Sequence, residues 1–236
     1  MTNYTVKNVI LYGIGGRIKR LFFKTYELFL PKFEIDKILL NETISKFNLK
    51  ETTNLLENSY NNLKLQTSDN KEYFDTQLSW VGANKFLSDN PLYIYPPNVA
   101  VIDFLIKNIK KESNLLDYGC GLSNLIIYLK KMGFSNSFGY DNFSQIKKET
   151  IENFLKTVGG AQDLLLSKEK ALLLKSNIIS CICYYWQKID KDIINKELNN
   201  PNLEYILLDY YYAPRHIKGF KIEGIYKNLL IVFKRK

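Results

Sequence analysis

Leu115-Leu116-Asp117-Tyr118-Gly119-Cys120-Gly121-Leu122-Ser123 reads as a buried strand that ends in an acid and then turns sharply through two glycines. A helix is expected next, from Asn124 to Met132, with Leu125, Ile126, Tyr128 and Leu129 as its apolar face. Glycine at 119 and 121 lets the backbone turn and lets a ligand lie against it with no Cβ in the way. Phe138-Gly139-Tyr140-Asp141 follows as a second short strand, again ending in a carboxylate. Asp141 falls about 20 residues past the turn, the spacing at which a strand-end acid meets the ribose of a nucleotide held at a first βα turn.

Two ligand readings compete for this unit. In a dinucleotide fold the glycine turn and the helix N-terminus hold a pyrophosphate. That fingerprint asks for a third glycine where this chain has Asn124, and it does not ask for the acid at Asp117. The stretch instead resembles motif I of the class I S-adenosylmethionine-dependent methyltransferases, an acid followed by Gly-x-Gly after an apolar strand. The resemblance implies that Asp117, Gly119 and Gly121, with Cys120 between them, hold the methionine part of S-adenosylmethionine. It implies that Asp141 takes the ribose hydroxyls, and that Asn142 and Phe143 lie against the adenine. The family often has a glycine where this chain has Ser123. By element order the resemblance covers roughly residues 95–236, and its specific part is 115–141. The plain alternative is a βα turn that binds nothing.

The remaining chain fits an α/β fold, a Rossmann-like seven-stranded methyltransferase sheet with a mainly helical N-terminal lobe. The expected division is 1–94 for the lobe and 95–236 for the cofactor-binding domain. Ile35, Ile38, Leu39, Leu49, Leu55, Leu56 and Leu63 recur near helical spacing over 35–66, and 71–88 reads as a further helix. In the family such segments often cap the cofactor and shape the acceptor pocket. Gly13-Ile14-Gly15-Gly16 could form a second nucleotide turn, but no clean strand with a terminal acid follows, Glu34 and Asp36 being the only candidates. Its alternatives are a glycine hinge before an amphipathic helix, or a contact of Arg17, Lys19, Arg20 and Lys24 with an anionic membrane surface. Asn90-Pro91-Leu92-Tyr93 resembles the Asn-Pro-Pro-Tyr motif of amino-group methyltransferases, yet it lies upstream of the glycine turn and reads as a loop. Pro96-Pro97 should give an extended entry to a helix at 98–110. Helices at 144–158 and 190–198, strands at 177–184 and 203–209, and a terminal hairpin of 220–226 with 229–234 complete the alternation.

Composition narrows the setting. The chain has 236 residues, enough for one large domain or a domain with an added lobe, and its apolar fraction of 46% is that of a globular protein. No run approaches a membrane span, and the start lacks the charged and apolar regions of a secretory signal. Three cysteines, none at zinc spacing with histidine, point away from a disulfide framework and towards a cytoplasmic setting, with no metal expected. The net charge of +9 comes mostly from dispersed lysines. Apart from Lys234-Arg235-Lys236 there is no basic block, so no clear nucleic-acid signal.

Methyl transfer from a sulfonium donor is an in-line displacement in which the leaving group is already activated, so the protein mainly aligns donor and acceptor. A base is needed only if the acceptor must lose a proton. The candidate is His216, the single histidine. Asp163 is a candidate for the adenine amino group, with a helix cap or turn as its alternative. Tyr184, Tyr185, Trp186, Tyr211 and Arg215, placed after two predicted strands, are candidates for binding the acceptor. The expected function is S-adenosylmethionine-dependent methylation of a small-molecule or sugar-type acceptor. The alternatives are a nicotinamide-dependent oxidoreductase and a non-enzymatic binding or scaffold subunit that keeps the fold. The acceptor atom and the oligomeric state are not legible in the residues.

Overall fold

In the computed structural model, residues 27–66, 92–142, 147–158, 164–182 and 189–236 are described. The central strands are short and almost wholly apolar, as strands covered on both faces must be. The elements run β1 (Lys32–Phe33), α1 (Lys37–Lys46), α2 (Leu49–Gln66), α3 (Pro96–Asn108), β2 (Leu115–Tyr118), α4 (Asn124–Lys131), β3 (Ser137–Tyr140) and α5 (Lys148–Thr157). They continue with α6 (Lys168–Leu173), β4 (Ile178–Cys181), α7 (Lys191–Asn199), β5 (Tyr205–Asp209), β6 (Phe220–Tyr226) and β7 (Leu230–Arg235).

These strands form one seven-stranded sheet in the order β1-β6-β7-β5-β4-β2-β3. β3, β2, β4 and β5 are parallel, whereas β7 runs antiparallel between β5 and β6. Beyond β3, Leu165 adds a single parallel bridge to Gly139. Successive residues alternate between the two faces, as the pleat requires. Leu115, Ile178, Leu207 and Val232 pack with α1 to α5 on one face, while Leu116, Ile179, Ile206, Leu208 and Ile231 pack with α6 and α7 on the other. Leu40, Ile44, Leu49, Leu56 and Tyr60 of α1 and α2 therefore share a core with the sheet.

The expected strands and helices are present within a few residues, apart from 71–88, which lies outside the described residues together with the Gly13 turn and Asn90-Pro91. Three details differ. The helix at 98–110 begins at Pro96, with Tyr95 as its extended N-cap and both prolines in the first turn, where a missing N–H costs nothing. β1 was not expected. It lies parallel to β6, and Phe33 covers Gly224 so closely that an added Cβ would meet the ring at 2.3 Å. Asp36 ends no functional strand but caps α1, its carboxylate accepting from the Leu39 amide at 3.0 Å.

One buried acid ties the N-terminal helices to the sheet. Asp103, fully buried in α3, accepts from the Asp36 amide at 3.0 Å, the Tyr226 hydroxyl at 2.9 Å and the Lys107 ammonium at 2.7 Å.

Candidate functional site

The parallel strands β2 and β3 end side by side, and their register sets Tyr118 against Tyr140. The chain leaves β2 through Gly119, with φ of 73°, and Gly121, with φ of 51°, both in the left-handed region that glycine tolerates. Ser123 also takes that conformation, with φ of 60°, at the N-cap of α4. The Tyr140 carbonyl accepts from the amides of Gly119 (2.8 Å) and Cys120 (3.3 Å), which pins the turn to the end of β3. Gly139 lets the two approach: a Cβ there would lie 2.6 Å from the Cys120 sulfur and 3.2 Å from the Ser123 hydroxyl.

Two carboxylates flank this turn. Asp117 is 5% exposed and Asp141 is 9% exposed. Asp141 Oδ2 accepts from the Gly121 amide at 3.0 Å, so the second acid holds the turn made after the first strand. Asp117 Oδ1 accepts from the Ser180 hydroxyl at 2.6 Å, across the register that pairs these residues between β2 and β4. Burial pushes the Asp117 carboxyl up to about 7; the Ser180 hydrogen bond opposes that shift and the neighbouring Asp141 charge adds to it. Burial and the same two acids also raise the half-buried Cys120 thiol.

Behind the turn, the Asn124 side chain is committed to packing. Its amide group donates to the Tyr60 hydroxyl at 2.8 Å and to the Tyr93 carbonyl at 3.0 Å. The Tyr128 hydroxyl accepts from the Tyr93 amide and shares a hydrogen bond with Thr53, each at 2.8 Å. These contacts fasten α2 to the first helix after the turn. A glycine-lined seat for a pyrophosphate is absent at 124, and the acids at 117 and 141 would repel one.

A run of parallel strands, an acid–glycine turn after β2, a second acid after β3 and an antiparallel β7 set between β5 and β6 now stand together. This is a class I methyltransferase-like fold. No family model matches the chain, and no curated protein matches it in sequence. Among solved structures it is similar to a protein of the NADB-Rossmann superfamily from Streptococcus agalactiae, at 14% identity and a TM-score of 0.38, with 56% of this chain matched to 65% of that one. It is also similar to a ribosomal protein L11 methylase from Lactobacillus delbrueckii subsp. bulgaricus, at 16% identity and a TM-score of 0.44, over 59% of this chain and 78% of that one. The matched part thus spans just under two thirds of the first of these proteins.

Within the methyltransferase-like fold, Asp117, Gly119, Cys120, Gly121 and Asp141 come together as one site. Asn142 follows it, exposed. Phe143, Asp163, Tyr184, Tyr185 and Trp186 lie outside the described residues. Tyr211, 66% exposed, begins the loop after β5 with its amide donating to Asp209 at 2.9 Å, and Arg215 and His216 are exposed further along that loop. Tyr211 follows the carboxyl end of β5, but the connection that carries Arg215 and His216 runs on to the amino rim, where β6 begins at Phe220 opposite Arg235. Of the basic run at the end of the chain, Arg235 is spent on the carbonyls of Leu203, Leu198 and Asn200. Among the described residues no cluster of side chains could hold a metal, and no helix is long and apolar enough to cross a membrane.

Ser180, Gly139 and Asn124 shape the site without having been assigned a role from sequence. A serine inside the apolar run Ile178-Ile179-Ser180-Cys181 and a glycine inside a strand were the available signals.

Proposed function

We propose that this chain binds S-adenosylmethionine at the Asp117–Gly121 turn and transfers its methyl group to a small-molecule or sugar-type acceptor. The observation that carries the reading is the pair of buried carboxylates on either side of a left-handed glycine turn. Their chemistry fits the cofactor: a cation finds negative charge, and ribose hydroxyls find acceptors. The same pair disfavours the nicotinamide alternative, because a pyrophosphate would have to sit beside two acids with no third glycine.

When bound, the cofactor supplies an electrophilic methyl group. The chain's own part is to orient and shield. Asp141, anchored by the Gly121 amide, is the ribose ligand. Asp117, steadied by Ser180, faces the methionine part. Helices α1 and α2 act as a cap, reaching the turn through Tyr60 and Asn124. Tyr211, after the carboxyl end of β5, is a group we assign to the acceptor, together with Tyr184, Tyr185 and Trp186. The absence of a nucleic-acid module and of a correctly placed amino-methyltransferase motif supports a small acceptor.

Isothermal titration with S-adenosylmethionine and S-adenosylhomocysteine tests the proposal. Both should bind in the micromolar range, with Asp141→Ala weakening them by at least about tenfold, or roughly 1.4 kcal/mol. Failure of both sulfur ligands to bind the wild type overturns the reading, and binding of NADH in their place would promote the oxidoreductase alternative.

A further inference from the structure

Leu115 and Asp117 of β2 lie on one face of the sheet, as do Ile178 and Ser180 of β4, and the register sets Asp117 opposite Ser180. Ser180 is fully buried in an otherwise apolar strand, Ile178-Ile179-Ser180-Cys181. A hydroxyl taken out of water is costly unless it is hydrogen-bonded. Among the described residues this one has a single partner, Asp117 Oδ1, to which it donates at 2.6 Å.

A buried carboxylate keeps its charge only where donors or cations replace the water it has lost. Asp117 is 5% exposed, and among the described residues the Ser180 hydroxyl is its one donor and no cation pairs with it. The titratable groups beside it are the Asp141 carboxyl at the end of β3 and the Cys120 thiol in the turn, neither of them a cation. The helix α4 opens with Asn124-Leu125-Ile126 and adds no charge. Ser180 is thus the group that favours the ionised acid, against burial and the Asp141 charge, and the outcome lies at about 7.

We propose that Ser180 is a positioning residue for the cofactor: acting through Asp117, it sets the pH above which the turn presents a carboxylate to the cation, and the arriving cation expels the Asp117 proton. The inference rests on the cofactor reading above. S-adenosylmethionine carries a sulfonium and an ammonium, and either favours the ionised acid. The proton passes from the Asp117 carboxyl to the buffer, and no bond of the ligand changes.

The test is calorimetry on the full chain with S-adenosylmethionine from about pH 5.5 to about pH 7.5, where the ligand's own amine stays mostly protonated. Wild-type affinity should rise at least about fivefold across that range, and titration near pH 6.5 in two buffers of different ionisation enthalpy should show roughly half a proton or more released. Ser180→Ala removes the donor, so its rise should be displaced upward by about one pH unit: a loss of about tenfold near pH 6 that narrows to about threefold near pH 7.5. A packing role would cost the same factor at every pH. Ser180→Thr, which keeps the hydroxyl on a residue that favours strands, should restore the wild-type profile. Wild-type binding that is flat in pH with no proton released, or a Ser180→Ala loss independent of pH, overturns the inference and leaves the cofactor reading standing. The wild-type readouts decide the matter even where Ser180→Ala fails to fold. S-adenosylmethionine that binds the wild type at no pH overturns the cofactor reading and this inference with it.

Discussion

Asp117 is an acid that the fold holds at the edge of ionisation. Its carboxyl sits near 7 because burial outweighs the hydrogen bond from Ser180. Raised above the ordinary value of 3.8, it leaves the folded chain binding a proton that the unfolded chain has already lost between about pH 4 and about pH 7. Stability should therefore fall across that window as pH rises, by on the order of a few kcal/mol from this group. Asp117→Asn keeps an acceptor for Ser180 and removes the charge. Urea unfolding should show the variant close to the wild type near pH 4 and more stable near pH 8; parallel curves for the two proteins would discard this account. At this scale the sequence was informative about identity and silent about partners. The acids and glycines stood out because their types and spacing match a chemistry. Ser180 did not, because only the register of β4 against β2 brings it to Asp117.

The turn depends on how closely β3 can pass beneath it, and Gly139 sets that approach. Gly139→Ala would drive a Cβ into the Cys120 side chain, whose sulfur would be 2.6 Å away and whose own Cβ 2.9 Å away. The turn must shift, carrying Gly119 and Gly121 with it. We expect a stability loss of about 1–3 kcal/mol by urea titration. Cofactor affinity should fall at least about tenfold by calorimetry at a temperature where the variant remains folded. Retained affinity would show that the turn tolerates displacement. Elements with strong periodicity were legible: the amphipathic helices and the apolar strands lie where the pattern put them. β1 was not, since two residues are too few to display a period of two, and its place is set by Phe33 meeting Gly224 on a strand far along the chain.

Across the described residues, the N-terminal helices and the sheet are held by shared apolar packing and by the buried carboxylate of Asp103. Asp103→Ala strands the Tyr226 hydroxyl, the Asp36 amide and the Lys107 ammonium at once. A loss of about 3–5 kcal/mol in urea unfolding is expected, the range for breaking a buried charged contact. A loss below about 1 kcal/mol would mean that water replaces all three partners. Sequence reading placed the sheet but not this joint, because an acid inside Val101-Ile102-Asp103-Phe104-Leu105 carries no sign of which distant groups it meets.

The sheet's strand order also has a consequence for how the chain reaches this state. β2 and β3 are joined by one short helix, so Leu115 finds Ser137 across a small loop. β1 finds β6 only when Lys32 meets Ile225, nearly the full length of the chain away. The entropy of closing a loop rises with its length, and contacts between distant residues slow folding. The glycine turn is thus drawn from chain neighbours and is cheap to nucleate, while the opposite edge of the sheet is sealed by the longest closure among the described residues.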